Sequence, residues 1–179
     1  MSNVRRRKYM RFPFTAFLGA IVSFHCAAAN TPRHMNRVVC AVKAPICARA
    51  YIERNETVVE RSISKTRSRQ QLWSFPAWLN IVRVDESGDH LLVESTALGV
   101  LPENVSPDLV VLQVYRRGEL QRQVKLHELF PTEASLQSAL KVGAWGKVIR
   151  SPESGTAKYL LASGSILLVN LSTGEAHTQ

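Results

Sequence analysis

Val110-Val-Leu-Gln-Val-Tyr-Arg-Arg-Gly-Glu-Leu-Gln-Arg-Gln-Val-Lys-Leu126 contains two short runs joined by a glycine turn, the first largely apolar and the second alternating apolar with polar residues. Alternation with a period of two places the apolar side chains on one face of a β-strand. Gly118 between the runs supplies the positive φ that a tight hairpin turn requires. The stretch therefore predicts an antiparallel β-hairpin.

Similar short runs recur along the chain, and turn residues such as Asn55, Gly88 and Gly164 separate neighbouring runs. Helical periodicity is limited to 127–130 and 132–141, where Thr132 is a candidate N-cap. Many short strands with regular turn signals are typical of an all-β domain. We therefore predict a mainly β fold of consecutive antiparallel hairpins, with a short helical segment near 127–141. The predicted strands are 37–42, 48–54, 57–64, 79–84, 90–95, 109–115, 120–126, 144–149, 157–161 and 165–171.

A weak repeat adds to this pattern. It consists of Leu72-Trp-Ser-Phe-Pro-Ala-Trp78, Val84-Asp-Glu-Ser-Gly-Asp-His-Leu-Leu-Val93, the 110–126 hairpin and Trp145. Over residues 71–171 the order resembles poorly characterised exported bacterial proteins built from propeller-blade-like repeats (Trp-strand, Ser/Asp-Gly turn, strand). The resemblance implies two to three blade-like units and brings no activity or catalytic residues. Because a closed propeller needs about four to eight blades, a stack of twisted sheets, a small sandwich or a ring closed by oligomerisation fits this length better.

The amino terminus has the organisation of a secretory signal peptide. Five basic residues lie within the first eleven positions, an apolar stretch follows, and Ala27-Ala28-Ala29 forms a small-residue cleavage site. The alternative is an uncleaved membrane anchor, although such an anchor usually needs about 20 continuous apolar residues. We expect residues 1–29 to be a signal peptide, 30–36 a flexible tail, 37–172 a single β domain and 173–179 a carboxyl-terminal tail. The expected location is the periplasm or the exterior of the cell.

Cleavage would change the meaning of the net charge. The 179 residues carry 23 Lys and Arg against 14 Asp and Glu, for a formal charge of +9. Residues 1–29 hold five of the basic residues and none of the acidic ones, so 18 basic and 14 acidic residues would remain, a charge of +4. Nucleic-acid binding is therefore not expected, and contact with a membrane is expected through the amino-terminal segment if it stays uncleaved.

Export also determines how the cysteines are interpreted. Cys26 would leave with the signal peptide, and Cys40 and Cys47 would remain as an even pair in an oxidising compartment. Ala44-Pro45 between them indicates a turn that would place the flanking strands side by side. We predict a Cys40–Cys47 disulfide, with two unpaired buried thiols as the alternative.

The inventory of catalytic and ligand-binding motifs is empty. No G-x-S-x-G, H-E-x-x-H, P-loop or dinucleotide-binding fingerprint occurs in the sequence. His90 follows a glycine turn and His127 begins a short helix, while His34 and His177 lie in expected tails. The acidic residues Asp85, Glu86 and Asp89 are interpreted as turn formers rather than calcium ligands, because Asp is favoured in turns for backbone reasons. No catalytic residue, metal or cofactor is predicted.

One short segment is strongly basic. Arg61, Lys65, Arg67 and Arg69 are separated by small polar residues, and on a single extended strand all four would share a face. Such a face could bind an anionic glycan, a lipid surface or acidic residues of another envelope protein. The alternative is an edge strand that charge keeps soluble and unpaired. Together these features predict an exported, non-catalytic binding or scaffolding protein of the cell envelope, with a hydrolase whose site assembles from distant loops as the alternative.

Overall fold

The computed structural model describes residues 36–63, 65–66, 68–96, 99–149 and 155–179. The expected signal peptide, His34 and Arg67 lie outside these residues. Within them the chain forms twelve β-strands and two helices, which confirms the mainly β prediction. The strands form three four-stranded antiparallel sheets, each a meander in which consecutive strands pair.

The first sheet contains β1 (Arg37–Cys40), β2 (Ile46–Tyr51), β3 (Glu56–Ile63) and β4 (Ser68–Phe75). The second contains β5 (Ile81–Val84), β6 (His90–Glu94), β7 (Val110–Arg116) and β8 (Glu119–Lys125). The third contains β9 (Gly146–Ile149), β10 (Thr156–Leu161), β11 (Ile166–Asn170) and β12 (Ala176–Thr178). β12 lies within 173–179, which the sequence predicts as a tail, and it pairs with β11.

Two helices connect the second sheet to the third: α1 (Leu126–Leu129) and α2 (Glu133–Val142). The Thr132 side chain accepts a hydrogen bond from the Ser135 backbone N–H, so it is the N-cap of α2, as the sequence predicts. Gly143 ends the helix in the left-handed conformation with φ of +69°. Both predicted helical segments are therefore present.

Two apolar clusters join the sheets in series. One combines side chains of the first and second sheets, and the other combines the second sheet with both helices and the third sheet. In β6, Leu91 and Val93 belong to the first cluster, whereas Leu92 between them belongs to the second. β6 and β7 are therefore buried on both faces, which explains their continuous apolar runs, whereas the first four residues of β8 are exposed.

Candidate functional site

The β1–β2 turn and the β3–β4 turn lie at the same end of the first sheet. Ile46 at the start of β2 is the register partner of Arg61 near the end of β3. The Ser62 backbone N–H donates to the carbonyl oxygen of Pro45 at 2.8 Å and so fixes one hairpin end against the other. We name six of the exposed residues at this end the basic tip: Val42, Lys43, Arg61, Ile63, Lys65 and Arg69.

The structure changes how the predicted cationic residues are arranged. Arg61 lies on β3, Lys65 in the turn and Arg69 on β4, so the prediction that they share one extended strand is wrong. Arg69 pairs in register with Ser62, the neighbour of Arg61. Because successive side chains alternate between the faces of a strand, Arg61 and Arg69 project to opposite faces of the hairpin. The cations therefore surround a tip rather than forming a stripe.

One buried carboxylate lies behind the basic tip. Glu60 is 8% exposed and forms ion pairs with Arg49 and with Arg69, the latter at 3.4 Å. Its negative charge is therefore compensated within the sheet. No acidic residue occurs between Glu60 and Asp85 in the sequence, and none occurs in β1, β2 or the turn between them. The two hairpins, residues 37–51 and 56–75, therefore contain no acidic residue other than Glu56 and Glu60 on β3.

A disulfide links the strands below the first turn. Cys40 and Cys47 are directly paired in the β1–β2 register and are joined by a disulfide, with their Cα atoms 4.0 Å apart. The predicted pairing is confirmed. Because the disulfide and the backbone hydrogen bond from Ala41 to Ile46 close the same hairpin, the turn that presents Val42 and Lys43 is fixed at its base.

The acidic turn between β5 and β6 is held by its own hydrogen bonds. Asp85 accepts hydrogen bonds from the Gly88 and His90 backbone N–H groups, and its other oxygen accepts one from the Ser87 hydroxyl at 2.6 Å. The His90 ring nitrogen Nδ1 lies 2.9 Å from the same carboxylate. Burial opposes ionisation of Asp85, but these hydrogen bonds outweigh it and lower its pKa.

This turn also anchors the first sheet to the second. The Trp73 indole N–H donates to the Gly88 carbonyl oxygen at 2.6 Å. A Cβ atom at Gly88, whose φ is +80°, would lie 2.6 Å from a methyl carbon of Leu72. Asp89 forms an ion pair with Arg117. The carboxylates of Asp85 and Asp89 are thus engaged within the protein, as the interpretation of this segment as a turn requires.

A half-buried polar network that the sequence did not predict connects all three sheets. Arg37 donates to Asn80, the Asn80 amide donates to the Thr96 carbonyl oxygen, and the Trp145 indole N–H donates to the Thr96 hydroxyl at 2.8 Å. The Trp145 ring packs against the Tyr159 ring, with their centroids 5.1 Å apart. The Arg37–Asn80 and Trp145–Thr96 hydrogen bonds join residues 43 and 49 positions apart in the sequence. No local sequence pattern could therefore have identified the network.

Glu94 and Tyr159 are the titratable members of this region. Glu94 is 7% exposed, and burial raises its pKa although Arg37 nearby opposes the change. Burial and the Glu94 charge raise the pKa of the Tyr159 hydroxyl. That hydroxyl makes no hydrogen bond of ordinary geometry with the described residues. The pair is enclosed between sheets, and we assign it a structural role.

The remaining candidate positions lie at the surface. His127 contacts the Pro107 carbonyl oxygen and lies 3.5 Å from Asp108, with about half of its side chain exposed. His177 lies on the edge strand β12. An open groove of about 350 Å³ follows β8, where Arg122 and Glu128 form an ion pair. Its lining combines Leu120 with polar and charged side chains, and none of these positions brings a base next to a nucleophile.

Among the residues that the structure describes, no group of three or more His, Cys, Asp or Glu side chains is placed to hold a metal ion. The same residues include no helix long and apolar enough to cross a membrane. No model of a known protein family matches the chain. A search of curated proteins finds no significant match either.

Proposed function

We propose that the protein is exported and acts as a non-catalytic binding protein at the cell envelope, where the basic tip binds an anionic partner. The observation that carries this proposal is the convergence of two hairpins that present Lys43, Arg61, Lys65 and Arg69 at one end of the first sheet. Clustered cations on a rigid element attract anionic groups and increase their local concentration.

Two features support the location. The amino-terminal segment has the order of a basic region, an apolar region and a small-residue cleavage site. The Cys40–Cys47 disulfide is compatible with an oxidising compartment, where such bonds persist. An anionic glycan, an anionic lipid surface or an acidic envelope protein would each be accessible to an exported protein.

The test compares two double variants that lose the same charge. Arg61→Gln with Lys65→Gln removes two cations of the basic tip, whereas Lys141→Gln with Lys147→Gln removes two exposed cations from α2 and β9. Arg69 is left unchanged because it also pairs with Glu60. Binding of the exported protein to immobilised heparin and to isolated envelopes at low salt should weaken in the first variant and remain in the second. Equal binding of the first variant and the wild type would overturn the proposal.

The alternative function is hydrolysis, and the Asp85–His90 contact is the observation that favours it. In known catalytic triads, a carboxylate that accepts a hydrogen bond from Nδ1–H of the histidine orients the imidazole ring. Here Ser87 donates to Asp85 rather than to His90, so the residues do not form the relay that activates a serine. Turnover of ester, glycoside or peptide substrates by the purified protein, abolished by His90→Gln or His127→Gln, would establish the hydrolase and overturn the non-catalytic proposal.

A further inference from the structure

We infer that the anionic partner is a lipid bilayer and that Val42 and Ile63 of the basic tip insert between its headgroups. The inference rests on the proposed function and specifies the surface to which the basic tip binds. Val42 is 54% exposed at the β1–β2 turn, and Ile63 is 40% exposed at the end of β3. Val42 lies in the β1–β2 turn and Ile63 borders the β3–β4 turn, so both exposed apolar side chains lie at the end of the first sheet that carries the cations.

Cations accompany both apolar side chains. Lys43 directly follows Val42, and Lys65 lies two positions after Ile63. Exposed aliphatic side chains bordered by Lys and Arg are the combination that binds the interface of anionic membranes, where apolar groups bury about 5–10 Å deep. A soluble polyanion would gain from the cations alone, so the exposed aliphatic pair favours the bilayer over a glycan.

The distance between Arg61 and Ile63 along β3 is comparable to the depth of about 5–10 Å at which apolar groups bury in the membrane interface. Arg61 lies two residues before Ile63, and a strand advances about 3.3 Å per residue. When Ile63 enters the headgroup region, Arg61 is therefore about 7 Å behind it, at the level of the lipid phosphates. Arg69 projects to the other face of the same hairpin. The tip can thus contact phosphates on both sides of the inserted residues.

The hairpins are constrained before any contact is made. The disulfide closes the first hairpin, and the hydrogen bond from Ser62 to Pro45 holds the second against it. Insertion therefore requires little ordering of the backbone, a cost that often weakens binding by flexible segments. Glu60, the carboxylate closest in sequence, is compensated by Arg49 and Arg69 and adds little repulsion from lipid phosphates.

The chain offers a matched control for the apolar pair. Leu160 and Ile166 on the third sheet are 45% and 37% exposed, close to the values for Val42 and Ile63. They are register partners beside the β10–β11 turn, on a different sheet from the basic tip and without a cluster of cations assigned to them. Serine at both positions removes a similar amount of exposed aliphatic surface from a face that the inference does not place at the membrane.

The experiment measures sedimentation of the exported, soluble protein with vesicles of phosphatidylglycerol and phosphatidylcholine, and with phosphatidylcholine alone. We expect binding to the anionic vesicles that weakens as salt is raised. Val42→Ser with Ile63→Ser should reduce it about tenfold, the factor for roughly two methylene groups left in water. Arg61→Gln with Lys65→Gln should reduce it about 25-fold, because each cation near such a surface contributes about fivefold. Leu160→Ser with Ile166→Ser should bind as the wild type does.

Heparin binding of the same proteins separates the two proposals. If Val42→Ser with Ile63→Ser retains both vesicle and heparin binding while the charge variant loses both, lipid insertion is overturned and the anion-binding function stands. If the charge variant retains both, the inference and the proposed function fail together. If the wild type binds vesicles of phosphatidylcholine alone as strongly as it binds the anionic vesicles, the inference is also overturned, because the cations would then make no contribution to binding.

Discussion

Replacing Cys40 and Cys47 with serine removes the covalent link between β1 and β2 at the base of the basic tip. The two residues are seven positions apart, so the disulfide closes a loop of eight residues when both cysteines are counted. In the chain-entropy description, the free energy of unfolding falls by about 2.5 kcal/mol for a loop of this size when the constraint on the unfolded chain is lost. Cys40 is exposed and Cys47 is half-buried, so serine creates no cavity that would add to this loss.

The assay is equilibrium urea unfolding of the wild type and the double variant, with thermal unfolding as a second measure. For a unit of this size a loss of about 2.5 kcal/mol lowers the melting temperature by roughly 5–10 °C. The reduced wild type should unfold at the same midpoint as the double variant, because both lack the same constraint. A variant as stable as the oxidised wild type would refute the reasoning that the disulfide constrains the unfolded state, as would a reduced wild type that retains its original midpoint.

Three further predictions concern stability and processing. Gly88→Ala should cost about 1–3 kcal/mol more than Gly143→Ala in urea unfolding, because both glycines have positive φ but only Gly88 would bring Cβ within 2.6 Å of Leu72; equal losses would contradict this packing. Burial raises the pKa of Glu94 above its ordinary value of 4.5, so between that value and the raised pKa the native state holds a proton that the unfolded state has lost. The free energy of unfolding should therefore fall as pH rises through this interval. Glu94→Gln should lack this decline, and parallel pH profiles of unfolding for variant and wild type would contradict it. Mass spectrometry of the exported protein should find cleavage after Ala29, and an intact amino terminus would contradict the signal-peptide prediction.

The turns of the fold could be predicted from single residues. Asn55, Gly88, Gly118 and Gly164 each adopt a positive φ between consecutive strands, as the hairpin interpretation requires. The physical reason is local: a tight turn needs a left-handed residue, and few residue types adopt that conformation without strain. The antiparallel meanders follow from these turns because each one connects neighbouring strands directly.

The strand β4 was not predicted from the sequence. Its first half, Ser68 to Gln71, is polar and exposed, so it lacks the alternation that identifies a strand with one buried face. The strand forms because β3 provides a ladder of backbone partners, and no pattern within β4 reports that partner. This omission led to the expectation that Arg61 and Arg69 would share a face, whereas the turn between them places the two side chains on opposite faces.

The basic tip could be predicted in part. Its lysine and arginine residues are evident from composition, but the roles of Val42 and Ile63 depend on the proximity of two turns that are about 20 residues apart. The buried position of Glu94 was also hidden, because its surroundings come from β1 and β10 rather than from adjacent residues. Both features depend on contacts between segments that are distant in the sequence. Hydrophobic periodicity indicates only which face of a strand is buried, not which segment covers that face.

The most direct measurement of the central claim is the fluorescence of a tryptophan placed at the basic tip. In Ile63→Trp, the difference spectrum against the wild type should shift to shorter wavelength when vesicles containing phosphatidylglycerol are added. Lipids brominated near the headgroup should then quench this emission. The same substitution at Ile166, on β11 of the third sheet, should change neither. If Ile63→Trp binds the vesicles but its emission neither shifts nor is quenched, the basic tip does not insert into the anionic bilayer and the central claim is contradicted.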